Sequence, residues 1–360
     1  MTKALSSKAT SSKTTSGKTN SGNFFEDFTV GQTIIHATPR TVSSGDQALY
    51  TALYGSRFAV QSATSFARSI GYPQSPVDDM LVFHIVFGKT VADISLNAVA
   101  NLGYADCRFL APVYPGDTLS TVSQVIGIKQ NSNGKTGVVY VRSTGRNQKS
   151  QIVLEYTRWV MVRKRNADSP APQTIVPDLP DSVDVNTLAS ACPAIETENF
   201  NTALSGSPHL WDDYAVGEKI DHVDGMTVEE SDHMLATRLY QNTAKVHFNQ
   251  HVQEKGPLGR RLIYGGHVIS LARALSFNGL GNAFHLSAIN GGRHIAPLFA
   301  GDTVYAWSQI TDKAAIPERD DIGALRISMV ATKNHACNKF PDNKHEKTIL
   351  ELDYWVIMPK

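Results

Sequence analysis

The sequence predicts an α+β architecture built twice from one ancestral unit. Three observations carry that prediction: an internal repeat, one strongly apolar helix in each copy, and a run of short alternating strands after each helix. The repeat is the most direct. Residues 25–61 align with 211–247 without a gap at an offset of 186, and about 13 of the 37 positions are identical. Phe25-Glu-Asp-Phe-Thr-Val-Gly31 faces Trp211-Asp-Asp-Tyr-Ala-Val-Gly217, His36 faces His222, and Leu53-Tyr54 faces Leu239-Tyr240. The match resumes at an offset of 185, where Arg108-Phe-Leu-Ala-Pro-Val-Tyr-Pro-Gly-Asp-Thr118 faces Arg293-His-Ile-Ala-Pro-Leu-Phe-Ala-Gly-Asp-Thr303. It closes at 196, where Val153-Leu-Glu155 and Trp159-Val160 face Ile349-Leu-Glu351 and Trp355-Val356, so the later insertions fall in the second copy.

Within each copy the elements follow from periodicity. A helix is expected after Asp46, with Leu49, Tyr50, Leu53 and Tyr54 on one face, and its twin after Asp232 with Leu235 and Leu239. A second helix, apolar nearly all round and therefore buried, is expected from Leu81 to about Ala100 and from Gly265 to about Asn278. Strands follow at Cys107 to Ala111, Thr118 to Lys129, Val138 to Ser143 and Val153 to Val162, where branched or aromatic residues alternate between turn signals. A buried helix followed by an antiparallel meander is the element order of a hot-dog domain, in which a curved sheet wraps a long helix. The expectation is a tandem, or double, hot-dog fold. An N-terminal domain over 23–165 and a C-terminal one over 206–360 are joined by a linker at 166–205 rich in Pro, Ala, Asp and Ser.

Composition excludes several classes. A length of 360 residues gives room for two domains at roughly 150 residues each. With 34 Lys and Arg against 33 Asp and Glu, the net charge of +1 leaves no electrostatic footprint for nucleic acid. The longest apolar run, Met80 to Phe87, contains a histidine and falls far short of the roughly 20 residues that span a bilayer, so no membrane helix is expected. Residues 1–22 are Ser, Thr, Lys and Gly with almost no bulky apolar side chain, and an unstructured tail is expected there. That tail has neither the apolar stretch of a secretory leader nor the arginines of an organellar one. Cys107, Cys192 and Cys337 lie far apart with no CxxC, which fits a reducing, cytoplasmic compartment.

Chemistry is sought where the copies differ. No GxSxG, Walker A or HExxH is present, and Gly279-Leu-Gly281 lacks the third glycine of a dinucleotide loop. His247 and His251 lie four apart on a predicted helix, but no third ligand stands nearby in sequence, and no metal is expected. Tyr240-Gln-Asn242-Thr-Ala-Lys-Val-His247 faces Tyr54-Gly-Ser56-Arg-Phe-Ala-Val-Gln61. A polar residue and a histidine five apart, present only in the second copy, place an imidazole and a hydrogen-bonding amide about one reacting water. The alternative is a polar residue on a half-buried helix.

The stretch from Tyr240 to His247 resembles a variant of the Asp-x-Asn-Pro-x-His signature of (R)-specific enoyl-CoA hydratases of the MaoC-like family. The duplication resembles their two-hot-dog members. Thr237 to Asn249, Leu262 to Arg273 and Leu81 to Thr90 bring the resemblance closer, to a branch acting on a CoA thioester whose acyl group carries a free carboxylate. The resemblance runs from Asn23 to Lys360. It implies a hydro-lyase with no cofactor, in which the CoA thioester is substrate. It departs in one place: the family aspartate falls on Asn242, which cannot act as a base. His247 is then the acid/base and Asn242 orients the water or leaving hydroxyl, with an unidentified carboxylate as a second proton carrier.

Gly265 and Gly266 open the buried helix of the second copy, where bare N–H groups would receive the thioester oxygen; close helix packing is the other reading of the pair. The first copy has bulk at that place, Phe83-His84-Ile85-Val86. With Val60-Gln61-Ser62-Ala63 and Ile94-Ser95-Leu96 it is expected to line the pantetheine or acyl channel, His84 being a binding or core residue. Candidates for the cation that meets the acyl carboxylate are Arg57, Lys245, Arg260, Arg261 and Arg293; Arg163-Lys-Arg165 is a candidate for the CoA phosphates. The expected partner is a small-molecule thioester and a second copy of the chain in a homodimer, with neither nucleic acid nor membrane. The runners-up are an (R)-specific hydratase of other acyl-CoAs and a non-catalytic acyl-CoA-binding module.

Overall fold

The computed structural model describes residues 18–360. Ten strands form one sheet: β1 Thr33–Thr41, β2 Ala98–Phe109, β3 Thr118–Gln130, β4 Thr136–Arg146 and β5 Ile152–Arg163 in the first copy, then β6 Lys219–Thr227, β7 His285–His294, β8 Thr303–Ala315, β9 Ile322–Lys333 and β10 Thr348–Pro359 in the second. The order across the sheet is β1-β3-β4-β5-β2-β7-β10-β9-β8-β6. Exchanging each strand for its repeat partner reverses that order, so a pseudo-twofold passes between the antiparallel neighbours β2 and β7. Four helices matter for the site: α1 Ser44–Tyr54, α2 Asp79–Thr90, α3 Glu230–Leu239 and α4 Gly265–Leu275. The helix starts Asp79 and Gly265 are 186 apart, so Asp79-Met80, not Phe83 to Val86, stand opposite Gly265-Gly266, and two pairs of residues with the same offset meet on the pseudo-axis. The Tyr54 and Tyr240 hydroxyls are 2.7 Å apart, and His84 Nε2 is 2.8 Å from Ser270 Oγ.

The helix starts follow local capping. Ser43 Oγ accepts from Asp46 N at 3.1 Å while Asp46 Oδ2 accepts from Ser43 N at 2.8 Å, a capping box that begins α1. Asp78 Oδ1 accepts from Met80 N at 2.9 Å and begins α2. All of Met80 to Thr90 is buried, as the apolar run requires.

The helix expected to reach Ala100 ends at Thr90, followed by one π-helical stretch, Val91–Ser95. Ala98 and Ala100 instead pair with Val162 and Met161 in β5, so a strand vacancy beside β5 outweighs the helical preference of alanine. Its twin ends at Leu275 rather than Asn278. The strand expected at Cys107–Ala111 is correspondingly longer. Two strands carried too little alternation to be read: β1 and β6 are sheet edges, each with one buried residue, His36 and His222. The Pro-x-x-x-Gly-Asp-Thr motifs are turns, in which Asp117 Oδ2 accepts from Tyr114 N at 2.9 Å and Asp302 Oδ2 from Phe299 N at 3.0 Å.

Of the expected tail, residues 1–17 lie outside the described residues; the Ser21 carbonyl already accepts from Asn97 Nδ2 at 3.0 Å. The 166–205 segment has the composition of a linker, yet Val183, Leu188, Cys192 and Ile195 bury into a cluster with Phe66, Ile70 and Trp355. Arg319 holds the Cys192 and Pro193 carbonyls at 3.1 and 2.8 Å. The segment is therefore a strap packed against both copies. Among the described residues no helix is long and apolar enough to cross a membrane.

Candidate active site

Asn242 and His247 lie just beyond α3. Asn242 is buried, and its Oδ1 accepts from Ala244 N at 3.2 Å, which fixes the amide with Nδ2 as the end left to donate. Ala244 O in turn accepts from His247 N at 2.9 Å, opening the short helix Lys245–Phe248. The His247 ring is oriented from the other side. Its Nδ1 is 2.8 Å from the Leu262 carbonyl, and a carbonyl only accepts, so Nδ1 carries the proton and Nε2 presents its lone pair. Burial pushes His247 down to about 4, against a smaller upward pull from the Leu262 carbonyl. At neutral pH the ring is a free base.

Helix α4 begins beside it. The N-cap Tyr264 packs its ring edge-on against His247 at 5.5 Å, and the first-turn N–H groups of Gly265 and Gly266 have no acceptor within the helix. A Cβ on Gly265 would lie 2.3 Å from His294 Nε2, and one on Gly266 would lie 2.5 Å from the Tyr264 ring and 2.6 Å from His84 Cε1. Glycine is thus demanded by packing, since two imidazoles close over the helix start; the N–H groups still point outward at its positive end.

His294 is the residue that sequence reasoning passed over. It stands at the end of β7, its Nε2 is buried without a hydrogen-bond partner, and burial together with His247 lowers it to about 4. An imidazole thus stands beside His247 and Gly265, a candidate for the second proton carrier that was expected to be a carboxylate. The signal was in the repeat, where His294 faces Phe109 within otherwise matched segments.

Behind this front lies a buried polar layer. Tyr240 Oη, Tyr54 Oη and His267 Nδ1 are joined in steps of 2.7 Å, and His233 Nε2 accepts from Tyr264 N at 2.9 Å, which locks the N-cap residue in place. His233 stands 6.1 Å from His247, ring to ring, and burial drives His233 and His267 far below their usual range. These rings stay neutral and position the site.

The other expected channel residues divide. Phe83 and His84 reach it: His84 contacts Tyr264, and Phe83 sits among Phe87, Tyr104 and Tyr156. Ser95 Oγ accepts from Arg158 at 3.4 Å, a guanidinium within the electrostatic reach of Tyr264. Ile85 and Val86 belong to the main core, Ile94 packs with Phe25 and Val125, and Leu96 packs on Gly22. Val60 to Ala63 occupy the first copy's equivalent place, where Gln61 Nε2 donates to Phe284 O at 2.6 Å and Val60 joins the strap cluster. None of these contacts brings Val60, Gln61, Ser62, Ala63, Ile85, Val86, Ile94 or Leu96 to His247: residues 60–63 hold the first copy's duplicate of that position, and the other four pack in the core or on Gly22.

The cation candidates are mostly engaged elsewhere. Arg261 pairs with Glu230 at 2.7 Å, Arg293 with Glu351, and Arg260 stacks on Phe299 at 4.0 Å. Arg108 pairs with Glu155 at 2.8 Å, the first-copy counterpart of Arg293 with Glu351, so that pair is structural. Arg57 lies over Phe277 at 4.5 Å, beside a cleft of about 240 Å³ lined by Tyr54, Asp224, Met226 and Leu275.

A neutral imidazole beside a helix start whose first N–H groups lack acceptors in the helix, on a duplicated hot-dog frame, is the equipment of a thioester hydratase or dehydratase of the MaoC-like kind. The chain belongs to the mesaconyl-CoA hydratase family, whose model matches residues 8–344. It is 64% identical over 343 residues to a β-methylmalyl-CoA dehydratase of Chloroflexus aurantiacus, covering 94% of this chain and 97% of that one. It is 57% identical over 342 residues to a mesaconyl-CoA hydratase of Cereibacter sphaeroides, covering 94% and 98%. Among solved structures, a MaoC domain protein dehydratase from Chloroflexus aurantiacus superposes with a TM-score of 0.92 at 64% identity over 95% of this chain and 99% of that one. A Mycobacterium tuberculosis protein with a double hot-dog fold, 24% identical, superposes at 0.72 over 94% and 99%, which speaks for the fold alone.

Proposed function

We propose that this chain reversibly dehydrates (2R,3S)-β-methylmalyl-CoA to mesaconyl-CoA, a step of acetyl-CoA or glyoxylate assimilation by way of ethylmalonyl-CoA chemistry. The observation that carries the reading is the His247 tautomer: Nδ1–H is spent on the Leu262 carbonyl, so Nε2 is left as the free base, on a ring that packs against Tyr264, the N-cap of α4. In dehydration the Nε2 lone pair takes the proton from the carbon next to the thioester. The electron pair left behind is held as an enolate whose oxygen lies on the Gly265 and Gly266 N–H groups. The enolate then collapses to the double bond, the β-hydroxyl departs, and the proton on His247 leaves with it as water. Hydration runs the same steps backwards. Asn242 Nδ2 donates to the hydroxyl or water and fixes its direction, a task that requires no carboxylate.

The test follows absorbance of the enoyl thioester with mesaconyl-CoA and crotonyl-CoA as alternative substrates. Mesaconyl-CoA is expected to be the better one. His247→Ala is expected to bind the CoA thioester as the wild type does and to lose about three orders of magnitude in turnover, within the range of general acid–base catalysis. Wild-type protein that binds both thioesters and turns over neither would establish a binding module instead.

A further inference from the structure

We propose that Arg158 is the carboxylate subsite of this enzyme: its guanidinium receives the free carboxylate at the far end of the acyl group while the thioester oxygen rests on the start of α4. The inference builds on the substrate reading above and adds the residue that selects for it.

Arg158 sits on β5 and is completely buried, one of the largest side chains without solvent contact. A buried guanidinium stays charged, and a buried charge is costly unless an opposite charge meets it. The ion pairs among the described residues leave Arg158 out. What it has is neutral: Thr90 Oγ1 at 2.8 Å, Ser95 Oγ at 3.4 Å, Asn101 Oδ1 at 3.5 Å and the face of the Phe87 ring at 4.1 Å. The ionisable groups near enough to act on it are the phenols Tyr156, Tyr104 and Tyr264, all held protonated by burial. Arg273, the other fully interior arginine, differs here, since Asp78 and Asp79 lie within its field.

Orphaned atoms gather around the same place. Arg158 Nε and Asn101 Nδ2 are buried with no partner in the protein, and so is His294 Nε2 nearer the site. Buried polar groups are almost always paired, so these three orphans mark a place that a ligand or its water fills. Arg158 Nε and Asn101 Nδ2 both carry an N–H and so suit an anion.

The geometry joins this place to the catalytic one. Along one wall His247 touches Tyr264 at 5.5 Å, Tyr264 touches Phe87 at 5.6 Å, and Phe87 touches Arg158 at 4.1 Å. Along the other, Gly265 abuts His294 and His294 meets Tyr104 at 6.0 Å, with Tyr104 in the field of Arg158. Two chains of aromatic contacts thus join the neighbourhood of His247 and Gly265 to one cation. A short acyl chain ending in a carboxylate matches that layout, whereas a plain alkyl chain would leave the charge uncompensated. The repeat agrees: Arg158 aligns with Tyr354, so the cation, like His294, belongs to one copy only.

The experiment compares Arg158→Met and Arg158→Lys with the wild-type enzyme on mesaconyl-CoA, fumaryl-CoA and crotonyl-CoA, with thermal melting of each variant. Arg158→Met is expected to lose about 100-fold in kcat/KM on the two carboxylate-bearing thioesters, the worth of a charge-assisted pair. On crotonyl-CoA it is expected to stay within about 3-fold, its acyl group placing no charge at this position. Arg158→Lys is expected to raise KM for the carboxylates alone. Equal losses on all three substrates, or an unchanged ratio between them, overturn the subsite. Should Arg158→Met fail to fold, the ratio in Arg158→Lys decides by the same criterion. A wild type that hydrates fumaryl-CoA but not mesaconyl-CoA, with the Arg158 dependence intact, supports the subsite and overturns the substrate assignment.

Discussion

Replacing Gly265 by alanine tests the front of the site with a single methyl group. The added Cβ would stand 2.3 Å from His294 Nε2, 2.4 Å from Cε1 and 2.7 Å from Cδ2, far inside van der Waals contact. Either the imidazole swings away by about 1 Å or more, or the first turn of α4 is pushed back. Both displace an N–H that would carry the enolate oxygen, and losing one such donor is worth about 3 kcal/mol, or roughly 100-fold in kcat. Folding suffers less: overpacking at one position costs about 1–3 kcal/mol, a melting shift of a few degrees at most in a chain of this size. The assay is mesaconyl-CoA hydration beside thermal melting. The double variant Gly265→Ala/His294→Gly removes the clash and is expected to recover the melting temperature without recovering kcat. Gly265→Ala at wild-type kcat and wild-type stability would refute the placement of the thioester at this helix start.

Three further outcomes follow from the same geometry. His294→Phe installs the residue of the first copy, conserves bulk and is expected to fold normally while kcat falls by about 10- to 100-fold; unchanged turnover would reduce His294 to packing. Asn242→Asp keeps the acceptor that meets Ala244 N but loses the donor, and activity is expected to fall; a large gain would mean that the site wants a carboxylate base. Stability is expected to decline on acidification. His222, His247 and His294 are each lowered by burial from about 6.5 to about 4, so above pH 6.5 they cost nothing. Between pH 6.5 and 4 the unfolded chain takes up protons that the folded chain refuses, and His222 alone accounts for about 3 kcal/mol by the lower limit. Urea melts from pH 7.5 to 4 measure this, and a flat profile would contradict it.

The sequence already held the duplication, because aligned identities survive wherever a turn, a cap or a core contact constrains the residue type. It held both buried helices for the same reason, since an all-round apolar run has nowhere else to go. His247 was legible as an imidazole present in one copy and absent from the other. The edge strands β1 and β6 were not legible, because a strand with one buried residue has no alternation to read. The end of α2 was set by a vacancy beside β5, which is a property of the sheet rather than of residues 91–100.

The site divides along the same line. Residue types and their asymmetry between the copies are written along the chain, and they put forward His247, Asn242, Gly265 and Gly266 as candidates. What surrounds them is decided across the pseudo-twofold, where β2 of one copy pairs with β7 of the other and brings Tyr104 to His294. The tautomer of His247 depends on a carbonyl fifteen residues away, and the reason for Gly265 is an imidazole from another strand. Arg158 could be ranked among the chain's other cations only once each had been seen with its partners, since whether a charge is paired is a fact of three-dimensional neighbours and leaves no mark on local sequence.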